Sequence, residues 1–218
     1  ILLKIGMKMR NIKKITIALL TIMLLIPCTM NNASAQESVS NRFIELIDGI
    51  FSNSLNYDVI NTSGFSVKDN FIEENRKLYE NLDYSSISEN FMNNNLTISS
   101  IPDMPQTRVS EAKSLTKNYY HSYRPSNFQK IEFEMQCYAV IRVNDATGVI
   151  TSFSGPSVSL IWSNVGMYCI VNPHNVSTSY SWGSSTHRSI TFNYRYALSV
   201  QDDGQTYISP TYEKTIRS

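Results

Sequence analysis

Three histidines, three cysteines and two closely spaced glutamates carry most of the reactive chemistry in this sequence. His121, His174 and His187 have the ring nitrogens that a base or a metal ligand needs. No two of them stand at the His-x-x-x-His interval that places two imidazoles on one helix face. His174 lies in Pro-His-Asn and His187 among Ser and Thr, so both read as loop residues. They would make a site only if their turns met at one end of the fold. Cys137 and Cys169 have no Cys-x-x-Cys partner, so metal capture is not indicated.

Glu132 and Glu134 could divide acid and base work between them. They fall, however, on one side of an alternating segment, where they read as solvated neighbours on the wet face of a strand. No Gly-x-Ser-x-Gly elbow is present, and Ser154-Gly155-Pro156-Ser157 lacks the strand–turn–helix setting that a nucleophile requires. There is no glycine-rich phosphate loop and no dinucleotide fingerprint. Asp202 and Asp203 are accounted for by a turn with Gly204 rather than by calcium. These absences point to a protein without catalysis, metal or cofactor.

The aromatic residues point elsewhere. Tyr119 and Tyr120 cluster with Tyr123, and Tyr180 and Trp182 lie in a later strand. Tyr and Trp add contact area at little entropic cost, so Tyr119, Tyr120, Tyr180 and Trp182, with His174 and His187, are the candidate contacts for an extracellular protein or glycan. Tyr180 and Trp182 share one register, as do Tyr194 and Tyr196, and alternation places the second pair in the core.

Two kinds of element must position these residues. Over 36–95 the period is helical: Phe43, Ile44, Leu46, Ile47, Ile50, Phe51 and Leu55 recur at three-and-four spacing. Ser63-Gly64 breaks the pattern, a second helix begins near Ser66 or Asp69, and Ser86-Ile87-Ser88-Glu89 has capping-box spacing for a third. Residues 96–128 read as a connector, interrupted by Pro102, Pro105 and Pro125, in which Tyr119-Tyr120 could begin a strand.

From 129 to 218 the period becomes two. Ile131 to Val143 alternates, Asn144 to Gly148 makes a turn, and Val149 to Phe153 pairs back until Gly155-Pro156 ends it. Further strands are expected at 158–162, at 167–171 up to Asn172-Pro173, at 176–182, at 190–200 and from Gln205 to Ile216. The fold class is α+β: a helical N-terminal segment followed by an antiparallel β-sandwich of about six or seven strands.

Residues 1–35 read as a secretory signal. Lys8, Arg10, Lys13 and Lys14 precede an apolar run from Ile15 to Ile26, and Ala33-Ser34-Ala35 closes it with small residues. The run is shorter than the roughly 20 residues a spanning helix needs. Translation is expected to start at Met7 or Met9. Pro27 before Cys28 disfavours lipid attachment, which stays the lesser alternative to release.

The signal holds five of the 19 basic residues (Lys4, Lys8, Arg10, Lys13, Lys14) and none of the 18 acidic ones, so the remainder carries four more acids than bases. A mildly acidic chain with no basic cluster and no second spanning run argues against nucleic acid, anionic membranes and a mature membrane span. An oxidising exterior would favour a Cys137–Cys169 disulfide. A membrane-active toxin is the alternative function, suggested by the Ser/Thr-rich alternation from Val149 to Trp162 and by the amphipathic first helix.

Overall fold

Ser40 opens the first helix by accepting a hydrogen bond from the Phe43 N–H at 3.1 Å, the N-cap role that a short hydroxyl fills well. In this computed structural model the described residues are 39–101 and 112–218. The expected signal, Cys28, Pro102 and Pro105 lie outside them.

Helix α1 (Asn41–Phe51) buries Phe43, Leu46, Ile47 and Ile50, the stripe its spacing predicts. It ends before Leu55, which is 95% exposed. A short strand β1 (Tyr57–Ile60) follows, then α2 (Lys68–Glu80) and α3 (Tyr84–Asn93). The cap of α3 is Asp83, whose Oδ1 accepts from the Ser86 N–H, three residues ahead of the Ser86 expected from the box spacing. Strand β1 has no sequence signature, because four residues are too few to display a period.

Strands β2 (Thr97–Ser100), β3 (Ala112–Tyr123), β4 (Ile131–Asn144) and β5 (Val149–Ser163) join β1 in a five-stranded antiparallel sheet in sequence order. The stretch read as a connector thus carries two strands. The second sheet has β6 (Ile170–Trp182) at one edge of β7 (Ile190–Asp202), with β8 (Gln205–Ile208) and β9 (Tyr212–Arg217) sharing the other edge. The architecture is α+β, with the helices on one face of the first sheet and the second sheet on its other face.

Two apolar clusters hold these layers together. Between the sheets, Phe133, Met135, Cys137 and Ile141 of β4 meet Phe192, Tyr194, Tyr196, Leu198 and Val200 of β7. Under the helices, Phe43, Ile47, Ile87 and Phe91 pack with Val59, Ile98 and Tyr120. Each fully buried aliphatic or phenyl group among them contributes roughly 1.5–3 kcal/mol of transfer free energy.

Because the helices cover its second face, the start of β4 has no wet side. Glu132 and Glu134, expected in solvent, are 0% and 2% exposed. Arg42 of α1 reaches Glu134 through Nε at 3.0 Å and Nη2 at 3.1 Å, and Lys130 Nζ lies 2.8 Å from Glu132. The Tyr120 hydroxyl lies beside Glu132, and burial first, then that carboxylate, pushes its pKa well above the ordinary tyrosine value.

Prolines read as strand ends lie inside strands. Gly155, at φ +58°, and Pro156 sit in a bulge opposite Ala139, between the pairs Tyr138–Ser157 and Val140–Ser154. Pro173 pairs with Leu198, and the Pro-His-Asn "turn" is a second bulge, with Asn175 at φ +49°. Both β5 and β6 are sheet edges, where a missing N–H breaks no ladder. The return strand breaks instead at Ser209-Pro210, separating β8 from β9.

Cys137 and Cys169 are free thiols, contrary to the expected disulfide. Cys137 interacts with Tyr194 and Tyr196, whereas Cys169 interacts with Asp202. Six residues of β7 separate Tyr196 from Asp202, on the order of 20 Å of strand, and a disulfide tolerates Cα atoms no more than about 7 Å apart. Burial raises the Cys137 thiol pKa to about 12. Native alkylation mapped by mass spectrometry is expected to label Cys169 and to reach Cys137 only after unfolding. A cross-linked peptide pair from unreduced protein would contradict this arrangement.

Candidate functional site

β6 hangs beyond the core. From Asn175 to Ser181 every residue is exposed, although the strand stays paired with β7. Alternation therefore fails to bury its inward register, and Tyr180 remains 51% exposed. The ring of Tyr180 rests on Phe153 of β5, with centroids 4.5 Å apart. Trp182, two residues on, touches the same Phe153 at 6.1 Å and lies edge-on to Tyr180 at 6.4 Å. Phe153 in turn packs on Phe192 of the core at 5.4 Å, which anchors the group.

His187 completes the cluster from the β6–β7 loop. Its imidazole stacks on Trp182 with centroids 4.2 Å apart and planes at 21°. The loop is fixed by the His187 N–H donating to Ser184 O, by the Gly183 N–H donating to Ser189 O, and by the Ile150 N–H donating to His187 O at 2.9 Å. His187 takes a left-handed φ of +53°, an uncommon conformation for a side-chain-bearing residue. Those three bonds sustain it, and the result is an imidazole held flat on an indole. Along the chain, exposed Ser152 and Ser154 flank Phe153, exposed Ser181 stands between Tyr180 and Trp182, and exposed Ser184 and Thr186 precede His187 in the loop.

Three of the six sequence candidates, Tyr180, Trp182 and His187, thus come together. The other three do not. Tyr119 and Tyr120 are each 1% exposed on opposite faces of β3, the first between the sheets and the second under the helices. His174 and His187 do not converge: His174 pairs with Ala197 and Trp182 with Ile190, about eight residues or 26 Å along β6. Phe153, the fourth ring, reads in the sequence as an ordinary strand residue. One sequence signal marked the region: no Asp, Glu, Lys or Arg stands between Asp145 and Arg188.

His121, the third histidine, is buried in the core. Lys214 Nζ donates to Thr97 Oγ1 at 3.1 Å, Thr97 Oγ1 lies 3.3 Å from His121 Nδ1, and His121 Nε2 lies 2.9 Å from the Tyr196 hydroxyl. A hydroxyl can both donate and accept, so Thr97 and Tyr196 provide a hydrogen-bonding partner for each nitrogen of the neutral imidazole. Burial, then the charge of Lys214, holds the His121 pKa well below its ordinary value.

The sign of the pH effect follows from that depression. Near pH 7 the ring is neutral whether the chain is folded or not. Below about 6.5 the unfolded chain takes up a proton that the native state refuses, so stability is lost as pH falls. Urea unfolding between pH 6.5 and 5 is expected to show a loss that steepens toward about tenfold in the folding equilibrium constant per pH unit, in excess of that in His121→Gln. Equal slopes in the two proteins would assign the proton uptake to another group.

Among the described residues, no group of three or more His, Cys, Asp or Glu side chains is placed to hold a metal ion. No helix among them is long and apolar enough to cross a membrane. Compared with protein-family models, with curated proteins and with solved structures, the chain matches none of them.

Proposed function

We propose that this chain is an exported, non-enzymatic binding protein that holds a neutral glycan on the rings of Tyr180 and His187, with Phe153 and Trp182 beneath them. The observation that carries this reading is the convergence of four rings, all contributed by a Ser/Thr-rich stretch of sequence that holds no charged residue from Ala146 to His187. Pyranose rings have apolar C–H faces that pack on aromatic faces, while their hydroxyls seek neutral donors and acceptors. Serine and threonine supply such partners without the desolvation cost of a charge. A protein partner would more commonly call for a wider apolar patch than these few rings offer.

The test is retention on neutral polysaccharides of different backbone (cellulose, chitin and a β-1,3-glucan), with a polyanionic gel as control. The expected result is saturable retention on at least one neutral matrix, released by its soluble oligosaccharide. Retention on none of them, or on the polyanion alone, would sink the proposal.

A membrane-active role is a second reading, favoured by one observation on the same uncharged segment. The β5–β6 loop presents Met167 and Tyr168 at 96% and 94% exposure, followed by Ile170 at 58%. An exposed apolar tip flanked by two long strands without charge suits the interface of a zwitterionic bilayer. Co-sedimentation with phosphatidylcholine vesicles, abolished in a Met167→Ser/Tyr168→Ser double variant, is the expected outcome. Failure of the intact chain to sediment would remove this reading.

A further inference from the structure

A cleft of about 810 Å³ opens where β3 of the first sheet faces β9 of the second, and its residues belong to neither the aromatic cluster nor the apolar loop. Tyr119 forms part of its lining, with its hydroxyl tied to Thr215 O at 2.9 Å. Two lysines approach this ring: Lys117 Nζ lies 5.7 Å and Lys214 Nζ 5.5 Å from its centroid. Lys214 is well buried for a lysine, and its Nζ donates to the Thr97 hydroxyl.

The lining holds three basic side chains, Lys117, Lys214 and Arg195, against two acidic ones, Asp58 and Glu213. Asp58 accepts from Ser66 Oγ at 2.6 Å, and Glu213 faces Arg195 at 3.8 Å, which leaves the two lysines as the cations beside Tyr119. Among the described residues, neither Lys117 nor Lys214 takes part in an ion pair. Two ammonium groups near one ring repel each other, and burial removes the water that would screen them. The effect registers on Lys214, whose pKa burial lowers to about 8, with Lys117 adding to the depression and Cys137 opposing it. An oxyanion between the lysines would relieve both terms, because charge-assisted hydrogen bonds strengthen where water is excluded.

The remaining lining is uncharged and hydroxyl-rich, with Thr62, Ser63, Ser177, Ser179 and Asn193, and the volume exceeds what a bare ion requires. We propose that the cleft between β3 and β9 binds a hydroxylated organic anion, a sugar acid or sugar phosphate. Its charged group would lie between Lys117 and Lys214 and its hydroxyls along the serine and threonine wall.

Isothermal titration at pH 7 with gluconate and with glucose 6-phosphate tests this, with glucose and inorganic phosphate as the neutral and bare-ion arms. The expected result is saturable binding of at least one sugar anion, tighter than either control. Lys117→Gln, at a partly exposed position outside the apolar core, is expected to weaken that binding at least tenfold with an unchanged melting temperature. Lys214→Gln should abolish it, and circular dichroism separates that loss from unfolding. Saturable binding of neither sugar anion, glucose binding as tightly as they do, phosphate alone binding, or unaltered affinity in Lys117→Gln would each overturn the proposal.

Discussion

Tyr180→Ala is expected to weaken binding of a neutral oligosaccharide by roughly 30-fold or more, because it removes a ring that meets the ligand while leaving the core intact. The magnitude follows from the behaviour of aromatic anchors, whose truncation costs about 2 kcal/mol or more when they are central to a contact. Tyr180 is 51% exposed and rests on Phe153, so its loss opens no cavity inside the sandwich. Tyr180→Phe keeps the ring face and should retain most of the affinity. Trp182→Ala should be at least as damaging, but it also removes packing from Phe153 and the support under His187, so affinity and folding would fall together. His187→Gly is the cleaner way to delete the imidazole, since glycine accepts the φ of +53° without strain. Affinities of Tyr180→Ala and His187→Gly equal to that of the parent would remove the cluster from the binding account.

Arg42→Ala is expected to destabilise the chain by about 3 kcal/mol, measured as unfolding free energy in urea. Glu134 is 2% exposed, and the fork of Arg42 supplies two hydrogen bonds to its carboxylate. Removing the arginine leaves a charge under α1 with little access to water, and breaking a buried pair on one side commonly costs about 3–5 kcal/mol. The lower end applies because the Arg42 side chain is 31% exposed, so solvent already screens part of the pair. Arg42→Lys should recover only part of the loss, since an ammonium cannot span two oxygens. The double replacement Arg42→Leu/Glu134→Leu should lie closer to the parent than Arg42→Ala does, because no unpaired charge remains. A double variant less stable than Arg42→Ala would show that the pair is a net source of stability rather than a matched cost.

These two cases mark where the sequence could be read and where it could not. Alternation from Ile131 and from Ile190 located the inter-sheet core, including Tyr194 and Tyr196, because residues two apart on a central strand share a face. The same rule misplaced Glu132 and Glu134. Period reports that two faces differ in polarity, but not that a helix more than eighty residues earlier will cover the polar one. Proline punctuation misled at Pro156 and Pro173 for a related reason. Whether a strand tolerates proline depends on having an open edge, and that is settled by tertiary pairing.

The binding candidates divide along the same line. Residue type picked out Tyr180, Trp182 and His187, and Tyr119 and Tyr120 equally, since nothing local distinguishes an aromatic on an overhanging edge strand from one on an inner strand. Phe153 joins the cluster only because β5 and β6 are edge strands on the same side of the sandwich. Cys137 and Cys169 share an inward register, but register carries no information about distance along the sheet.

The most direct measurement uses the two tryptophans. Trp162 stacks on Tyr120 beside the helices, 6.3 Å between centroids, whereas Trp182 lies in the aromatic cluster. In a Trp162→Phe chain, all tryptophan emission therefore reports on the proposed site. Titration with cellohexaose, chitohexaose and laminarihexaose should give a saturable change in that emission with at least one sugar, and Tyr180→Ala in the same background should move its midpoint to roughly 30-fold higher sugar or beyond. Emission that stays flat with every sugar, or a midpoint unmoved by Tyr180→Ala, would contradict glycan binding at this edge.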